Sequence, residues 1–274
     1  MSTLNVTIEQ LTPVGEFLLR RSVFRFDEFR TVHAVRGRRS PATTAAVLKQ
    51  HVKAGRLLNI RRGLYVSVPP GAAPGSVDVD PYVLASHLAP GAVVAYHAAL
   101  QFFGKAHTPS SRITCFTPRR ARAFSCRGVE YVPVLMPPPV RGLTDLASGI
   151  EFGRRMGATV RVTSLARTLV DVLDAPRHGG CWAEIWQSLE SIGPVDLDFS
   201  VLYAIRLGSA LTAARVGFYL EQHRDAVGVD DRYLDALRRH APRQPIYLDS
   251  RREPGRVVPG WNLVVPERVL SRAW

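Results

Sequence analysis

Features that mark several large classes of protein are scarce or absent in this chain of 274 residues. It has three cysteines, Cys115, Cys126 and Cys181, and none of them forms a C-x-x-C pair. This spacing favours neither a zinc site nor a disulfide framework, and we predict no metal and no cofactor. No run reaches the roughly 18 apolar residues of a membrane span, and the first residues lack the basic and apolar stretches of a secretion signal. We therefore expect a soluble, cytoplasmic protein that does not bind membranes.

The short motifs of common enzyme classes are also missing. The sequence contains no G-x-x-x-x-G-K-[ST], H-E-x-x-H or G-x-S-x-G, which are the motifs of phosphate-binding loops, zinc proteases and serine hydrolases. The carboxylate-x-lysine motif of many nucleases is absent as well. The residues two positions before Lys49, Lys53 and Lys105 are Val47, His51 and Phe103. We predict that the protein is not an enzyme.

One pair of carboxylates leaves a catalytic alternative open. Asp171 and Asp174 are one helical turn apart, a spacing that can serve acid–base or metal chemistry. Solvated carboxylates, with Asp171 paired to Arg167, are the more common arrangement on a helix. Of the functions that the residues allow, an enzyme is the least supported.

Positive charge is abundant and unevenly distributed. The formal net charge is +13, and residues 1–70 hold 12 Lys/Arg against 4 Asp/Glu. About a quarter of the chain thus carries more than half of the net charge. A concentrated basic domain attracts polyanions, of which duplex DNA is the usual one. A membrane surface is the alternative, but no basic amphipathic helix with a large apolar face accompanies the charge.

The residues from Ser40 to Val68 predict a helix followed by a hairpin. Ser40 is a suitable N-cap, Pro41 fits the first helical position, and Gly55 ends the helix. Two strands, 57–60 and 64–68, then flank the basic turn Arg61-Arg62-Gly63. A helix beside an arginine-tipped hairpin is typical of a winged helix-turn-helix, although an ordinary helix packed on a hairpin has the same pattern.

The preceding residues supply the other parts of such a domain. Thr12-Pro13 starts a first helix, residues 23–26 alternate like a short strand, and Asp27 can cap a second helix. We therefore predict an α+β protein with a winged helix-turn-helix domain at 1–70. A linker rich in Pro, Gly and Ala follows at 71–81, and a larger mixed α+β domain at 82–274.

The helical projection assigns roles in DNA binding. At 3.6 residues per turn, Ala45, Leu48 and Val52 share one face, and Thr43, Ala46, Gln50 and Lys53 lie opposite. We predict that side chains before and at the helix start face phosphates and that polar side chains on the helix reach base edges. The end of the helix and the hairpin are predicted to contact the DNA backbone or minor groove. The predicted contacts are, in that order, Arg36, Arg38, Arg39 and Ser40; Thr43, Thr44 and Gln50; and Lys53, Arg61 and Arg62. A second basic loop with Arg119, Arg120 and Arg122 either adds DNA contacts or serves solubility.

The second domain alternates between helical and strand patterns, which predicts a mixed or antiparallel sheet followed by helices. The predicted helices are 82–88, 91–104, 163–173, 182–192, 199–207 and 211–223, and the predicted strands are 112–117, 129–134, 159–162, 245–248 and 257–265, the last broken by Pro259-Gly260. The segment His178–Cys181 is predicted to be a loop.

Three segments, in this order, resemble the AbiEi family of bacterial antitoxins. They are AGRLLNIRRGLYVSVP at 54–69, VVAYHAALQFFG at 93–104 and VTSLARTLVDVL at 162–173. The resemblance spans most of the chain. One departure is Ala166 before Arg167, where relatives frequently have an acidic residue.

The resemblance implies that the winged helix binds inverted repeats in the protein's own promoter and represses its operon. It also implies that the C-terminal domain opposes a nucleotidyltransferase-like toxin of the AbiEii type, which need not involve a stable complex. Arg167, Thr168 and Asp171 in the third segment are candidates for that role. The alternative is a winged-helix regulator unrelated to a toxin, whose second domain senses a ligand or a protein.

Overall fold

A computed structural model describes residues 12–37 and 40–274, apart from the side chain of Arg36. The chain is an α+β protein, as the sequence predicts. It divides into a first unit, residues 1–90 with 154–159, and a second unit, residues 91–153 with 160–274. The helix at residues 81–86 thus belongs to the first unit, whereas the sequence analysis places it in the second domain.

In the first unit, helices and strands follow the predicted order. Its sheet is antiparallel with β3 in the centre, between β1 and β2. A hairpin therefore gains a third strand from the chain between the first two helices. The elements are α1 (Pro13–Arg20), β1 (Val23–Arg25), α2 (Phe26–His33), α3 (Pro41–Lys53), β2 (Leu57–Arg61), β3 (Leu64–Ser67) and α4 (Pro81–Ser86).

The ends of these helices follow local rules, with one correction. Thr12 and Ser40 cap α1 and α3, each accepting from the backbone N–H three residues on. Gly55, with φ of +71°, ends α3 in a Schellman arrangement, since Arg56 N donates to His51 O. The second helix begins at Phe26, before the predicted cap Asp27. Glu28 Oε2 accepts from Arg25 N at 2.7 Å, which satisfies the backbone N–H of the residue before this earlier helix start.

The core of the first unit is aromatic. Phe24, Phe29, Leu48 and Leu57 are fully buried and pack together. Phe17 adds edge contacts, its ring centroid lying 5.1 Å from that of Phe24. Each such side chain contributes roughly 1.5–3 kcal/mol by leaving water. The core thereby fixes α3 against the sheet.

A mixed six-stranded sheet, in the order β6-β7-β5-β4-β9-β8, organises the second unit. β5 runs parallel to β7, and β4 runs antiparallel to β5 and parallel to β9. A mixed sheet was one of the two predicted arrangements. The strands are β4 (Val93–Val94), β5 (Arg112–Thr117), β6 (Phe124–Cys126), β7 (Val129–Leu135), β8 (Ile150–Arg155) and β9 (Ala158–Thr163).

The predicted helix at 91–104 is wrong in its first half. Val93 and Val94 form β4 near the centre of the sheet, and only His97–Phe102 forms a helix, α5. The break lies at Tyr96, a buried residue with φ of 58° and ψ of −138°. Small residues are compatible with either structure, so the sequence did not distinguish a strand between two neighbours from a helix.

Helices surround the sheet and a second, three-stranded sheet in the order β10-β12-β11. They enclose an apolar core that includes Leu169, Trp186, Tyr219 and Trp261. The remaining elements are α6 (Leu165–Asp174), α7 (Trp182–Glu190), α8 (Leu197–Arg206), α9 (Ala210–Gln222), α10 (Arg224–Val227), α11 (Asp231–Arg238), β10 (Ile246–Tyr247), β11 (Arg256–Val258), β12 (Leu263–Val265) and α12 (Glu267–Leu270).

In the part of the chain that the structure describes, no helix combines the length and apolar character needed to cross a membrane. None of the three cysteines forms a disulfide: Cys115 is buried, Cys126 is half-buried and Cys181 is exposed.

Candidate nucleic-acid interface

One face of α3 is exposed and combines small and basic side chains. Ala42, Ala46, Lys49, Gln50 and Lys53 recur at helical spacing along it, and all are exposed. Small residues near the start of a helix allow close approach to a groove, and cations near its end can meet phosphates. This stripe has the composition of a surface that reads duplex DNA.

The inward face of α3 differs from the prediction by one position. Thr44 and Leu48 are its buried residues, with Val52 half-buried, whereas Ala45 is exposed. The projection placed Ala45 inward because alanine is apolar and threonine is polar. For the same reason, Lys49 was not predicted to face DNA. With the inward face centred on Thr44, Lys49 falls on the outward face.

Thr44 is therefore not a base-contacting residue, contrary to the prediction. Its side chain is fully buried, and its hydroxyl lies 3.2 Å from both Ser40 O and His33 Nδ1. The hydroxyl ties the start of α3 to the end of α2. Thr43, one position earlier, is exposed and remains a candidate for base contact.

The N-terminus of α3 has few free donors. Ser40 Oγ accepts from Thr43 N at 3.0 Å, Ser40 O accepts from Thr44 N, and Pro41 has no N–H. Of the first helical amides, that of Ala42 is left for a phosphate. Arg38, Arg39 and the side chain of Arg36, which were predicted to lie beside it, are outside the described residues.

The tip of the hairpin is a two-residue turn, Arg62-Gly63. Arg61 pairs with Leu64 across it, after a bulge between Asn59 and Arg61. Gly63 has φ of +79°, which glycine adopts without strain. Arg62 is exposed and Arg61 is half-buried, so the tip carries positive charge at the surface.

Two acidic side chains of the first unit pair with cations other than those of the stripe and the hairpin tip. Glu16 pairs with Arg20 at 2.8 Å, and Glu28 lies 4.0 Å from Arg25 and from His87. Within the described ranges, no carboxylate lies within 4.0 Å of Lys49, Lys53 or Arg62. Lys49, Lys53 and Arg62 thus present positive charge with no described carboxylate within ion-pairing distance.

The three candidates in the second unit form the interior of the fold. Arg167, Thr168 and Asp171 are all buried on α6. Arg167 Nε donates to Asp171 Oδ2 at 3.2 Å, and one of its terminal nitrogens donates to Ser148 O at 2.6 Å. The guanidinium also lies over the ring of Phe116, 4.8 Å from the centroid.

The partners of Asp171 complete this network. Its Oδ1 accepts from the Tyr203 hydroxyl at 2.6 Å. Burial raises the pKa of Asp171 to about 6, against the lowering effects of Arg167 and Tyr203. Burial acts to lower the pKa of Arg167, but Asp171 and Tyr203 outweigh it and leave the pKa raised. The pair is a structural link between α6, α8 and the loop before β8.

These contacts correct two predictions. The side chains of Arg167, Thr168 and Asp171 do not face solvent, so none of them can contact a partner's surface directly. The carboxylates Asp171 and Asp174 are not a solvated pair, since Asp174 accepts from the Thr212 hydroxyl and Asp171 is enclosed. In the described ranges, no group of three His, Cys, Asp or Glu side chains is placed to hold a metal.

Comparisons with known proteins give a fold relative. No family model matches the chain, and no curated protein matches it. Among solved structures, the crystal structure of the Rv2827c protein from Mycobacterium tuberculosis is similar. The TM-score is 0.57 and the identity is 19%, over 94% of this chain and 91% of that chain. At this identity the likeness extends to the fold alone.

Proposed function

We propose that the protein is a DNA-binding antitoxin. Its first unit is a winged helix-turn-helix that binds the promoter of its own operon, and its second unit counteracts a nucleotidyltransferase-like toxin of the AbiEii type. The observation that carries the DNA-binding half is the exposed stripe of α3 beside a positively charged hairpin tip. The net charge of +13 supports a polyanionic partner.

The stripe divides into parts with different roles. Ala42 and Ala46 let the backbone of α3 approach the groove, and Gln50 can pair with adenine through N6 and N7. Lys49 and Lys53 are placed for phosphates, and Arg62 on the hairpin is placed for the backbone or minor groove. Thr43 contributes a methyl group that can meet a thymine methyl.

The antitoxin half of the proposal is supported by the family resemblance. Its second and third segments form β4 with α5 and the end of β9 with α6, whose residues are mostly buried. These segments therefore specify the framework of the second unit rather than its surface. The residues that oppose a toxin lie on surfaces outside them.

Binding of the full chain to its promoter tests the DNA-binding half. We expect the promoter duplex to bind at least about 1,000-fold more tightly than a scrambled duplex at physiological salt. Gln50→Ala should weaken binding of the promoter duplex by about 1–3 kcal/mol, the contribution of one base pair, and should have little effect on binding of the scrambled duplex. Thr44→Val is the matched control, because it should lower the free energy of unfolding by about 1 kcal/mol while leaving base preference unchanged. Equal binding of both duplexes would refute the proposal.

Co-expression tests the antitoxin half. If a nucleotidyltransferase-like protein encoded beside this chain arrests growth, we expect co-expression of this chain to relieve the arrest. Lys49→Gln combined with Lys53→Gln should leave relief intact when both genes are driven by unrelated promoters, because the two halves of the function use different units. Arrest that persists with the wild-type chain present would favour the regulator without a toxin.

A further inference from the structure

The exposed face of α3 carries side chains that match one class of base pair. In the major groove, thymine offers a methyl group to small apolar side chains, and adenine pairs bidentately with a glutamine amide. Both kinds of side chain occur on this face. They are Ala42, Thr43, Ala46 and Gln50, all exposed. The composition of the face therefore favours A·T over G·C base pairs.

Side chains that read guanine and cytosine are scarce on α3, all of whose residues are described. The helix contains no arginine, which pairs with guanine O6 and N7, and no acidic residue, which would accept from cytosine N4. Its two lysines, Lys49 and Lys53, lie in its second half. In its first two turns every exposed side chain is proline, alanine or threonine. Because recognition helices contact bases through their N-terminal residues, these side chains are placed to meet thymine.

The conformation of Thr43 leaves its methyl group as the free end of the side chain. Thr43 Oγ1 lies 2.9 Å from Ser40 Oγ, and the same Ser40 oxygen accepts from Thr43 N at 3.0 Å. The hydroxyl of Thr43 is thus engaged with the N-cap of its own helix. A threonine held in this way offers a base an apolar contact rather than a hydrogen bond.

Small side chains at the centre of the exposed face allow the helix to come close to the bases. Thr44 and Leu48 are fully buried, and at 3.6 residues per turn Ala46 lies nearly opposite them, with Ala42 one turn before it. An alanine methyl group projects little from the backbone, so it contacts thymine only when the helix lies deep in the groove. The core contacts of Thr44 and Leu48 fix the orientation of the face before DNA binds, which reduces the entropic cost of binding.

The spacing of the side chains sets the spacing of the bases. At about 1.5 Å per residue, Ala46 lies about 4.5 Å and Gln50 about 10.5 Å along the helix axis from Thr43. Successive base pairs are about 3.4 Å apart, so a helix that lies along the groove covers about one and three base-pair steps over these distances. Two adjacent A·T pairs, with an adenine two pairs further on, fit the face.

We propose that the DNA site read by α3 contains two adjacent A·T pairs whose thymine methyl groups contact Thr43 and Ala46, followed by an adenine that pairs with Gln50. This proposal rests on the DNA-binding function proposed above and specifies its target. Discrimination at the two adjacent pairs then depends on contact between apolar groups. Lys49 and Lys53 supply affinity without selecting a base.

Selection from a pool of duplexes with a randomised centre, followed by base substitution, tests the proposal with the full chain. We expect the enriched sequences to share adjacent A·T pairs. In an enriched duplex, deoxyuridine in place of each thymine in turn removes only the C5 methyl group. At two adjacent pairs this change should weaken binding about fourfold each, which is the effect of losing one buried methyl group. Fluorescence anisotropy at constant salt measures the loss.

Two protein variants assign the methyl contacts. Thr43→Ser removes a methyl group and keeps the hydroxyl near Ser40, and Ala46→Gly removes the whole side chain. Each should weaken binding of the thymine duplex about fourfold and abolish the effect of uracil at one of the two positions. Ala45→Gly is the matched control, because Ala45 is exposed on α3 but lies about 100° around the helix from Ala46. It lowers helix propensity as Ala46→Gly does and should leave both uracil effects unchanged.

The outcomes separate this proposal from the DNA-binding function. Enrichment of G·C pairs at the contacted positions, or equal binding of thymine and uracil duplexes, would overturn the proposal and leave DNA binding intact. Uracil effects that persist in both Thr43→Ser and Ala46→Gly would also overturn it, since the methyl groups would then act through other contacts. Enrichment of no sequence would overturn the proposed function, and this proposal with it. Because both positions are exposed, the variants are expected to fold.

Discussion

Replacing Arg167 with methionine is expected to lower the free energy of unfolding by about 3–5 kcal/mol at pH 7. Arg167 is 0% exposed, and its guanidinium neutralises Asp171, which is 2% exposed. Methionine fills part of the space but leaves a buried carboxylate without its cation. Urea denaturation followed by tryptophan fluorescence measures the change, since Trp186 lies in the same core.

The pH dependence of the lost stability distinguishes an unpaired buried carboxylate from the smaller volume of the methionine side chain. Without Arg167, the pKa of Asp171 rises above its wild-type value of about 6. The folded state then holds its proton more tightly than the unfolded state does, so the deficit should be smaller at pH 5 than at pH 8. Adding Asp171→Leu should recover most of the loss, whereas Arg206→Met, at an exposed position, should change stability by less than about 0.5 kcal/mol. A loss in the free energy of unfolding that is the same at both pH values, and that Asp171→Leu does not reduce, would contradict the mechanism.

Replacing Lys49, Lys53 and Arg62 with glutamine is expected to weaken DNA binding on all sequences. If the protein neutralises roughly six phosphates, the slope of log K against log salt is about −5, and three fewer contacts bring it to about −2. With affinities converging near 1 M salt, the loss at 0.15 M is about 100-fold. Fluorescence anisotropy with promoter and scrambled duplexes across a salt series measures both quantities.

The matched control removes the same charge elsewhere. Arg206, Arg239 and Arg243 are exposed in the second unit, and changing them to glutamine lowers the net charge equally. We expect this control to change the slope by less than one, because charge outside the contact surface is screened. An equal effect of both triple variants would mean that net charge, rather than the stripe of α3 and the hairpin, drives binding.

Local sequence signals predicted most elements of both units. Ser40-Pro41 and Gly55 marked the two ends of α3 because capping depends on neighbouring residues only. The strand at 112–117 was predicted with its observed bounds. By contrast, the pairing of β5 with β7 rather than β6 depends on contacts between distant residues, which no local pattern encodes.

Two of the errors concern polar residues in buried places. The inward face of α3 was misplaced because Thr44 is buried through hydrogen bonds rather than through apolar character. Arg167 was a candidate for opposing a toxin, and its pairing with Asp171 was anticipated, but a sequence does not show that Tyr203 and Ser148 complete a buried network around the pair. The partners of a buried charge come from different elements and meet only in the folded chain.

The candidate sites were predictable to different degrees. The basic stripe lies within a dozen residues and is visible in a helical projection, apart from Lys49. By contrast, one cavity of the second unit is lined by His97 and His178, which are 81 residues apart, and the sequence analysis interpreted the second of them as part of a loop.

The hairpin tip is anchored from outside the hairpin. Gly63 O accepts from Phe26 N at 2.9 Å, and β1 pairs with β3 along its whole length. The first residue of α2 therefore holds the turn that carries Arg62. A tip tied in this way loses little conformational entropy when it meets a ligand. For the proposed DNA complex we therefore expect part of the discrimination between duplexes to come from how far the DNA deforms to fit a rigid surface, in addition to the base contact of Gln50.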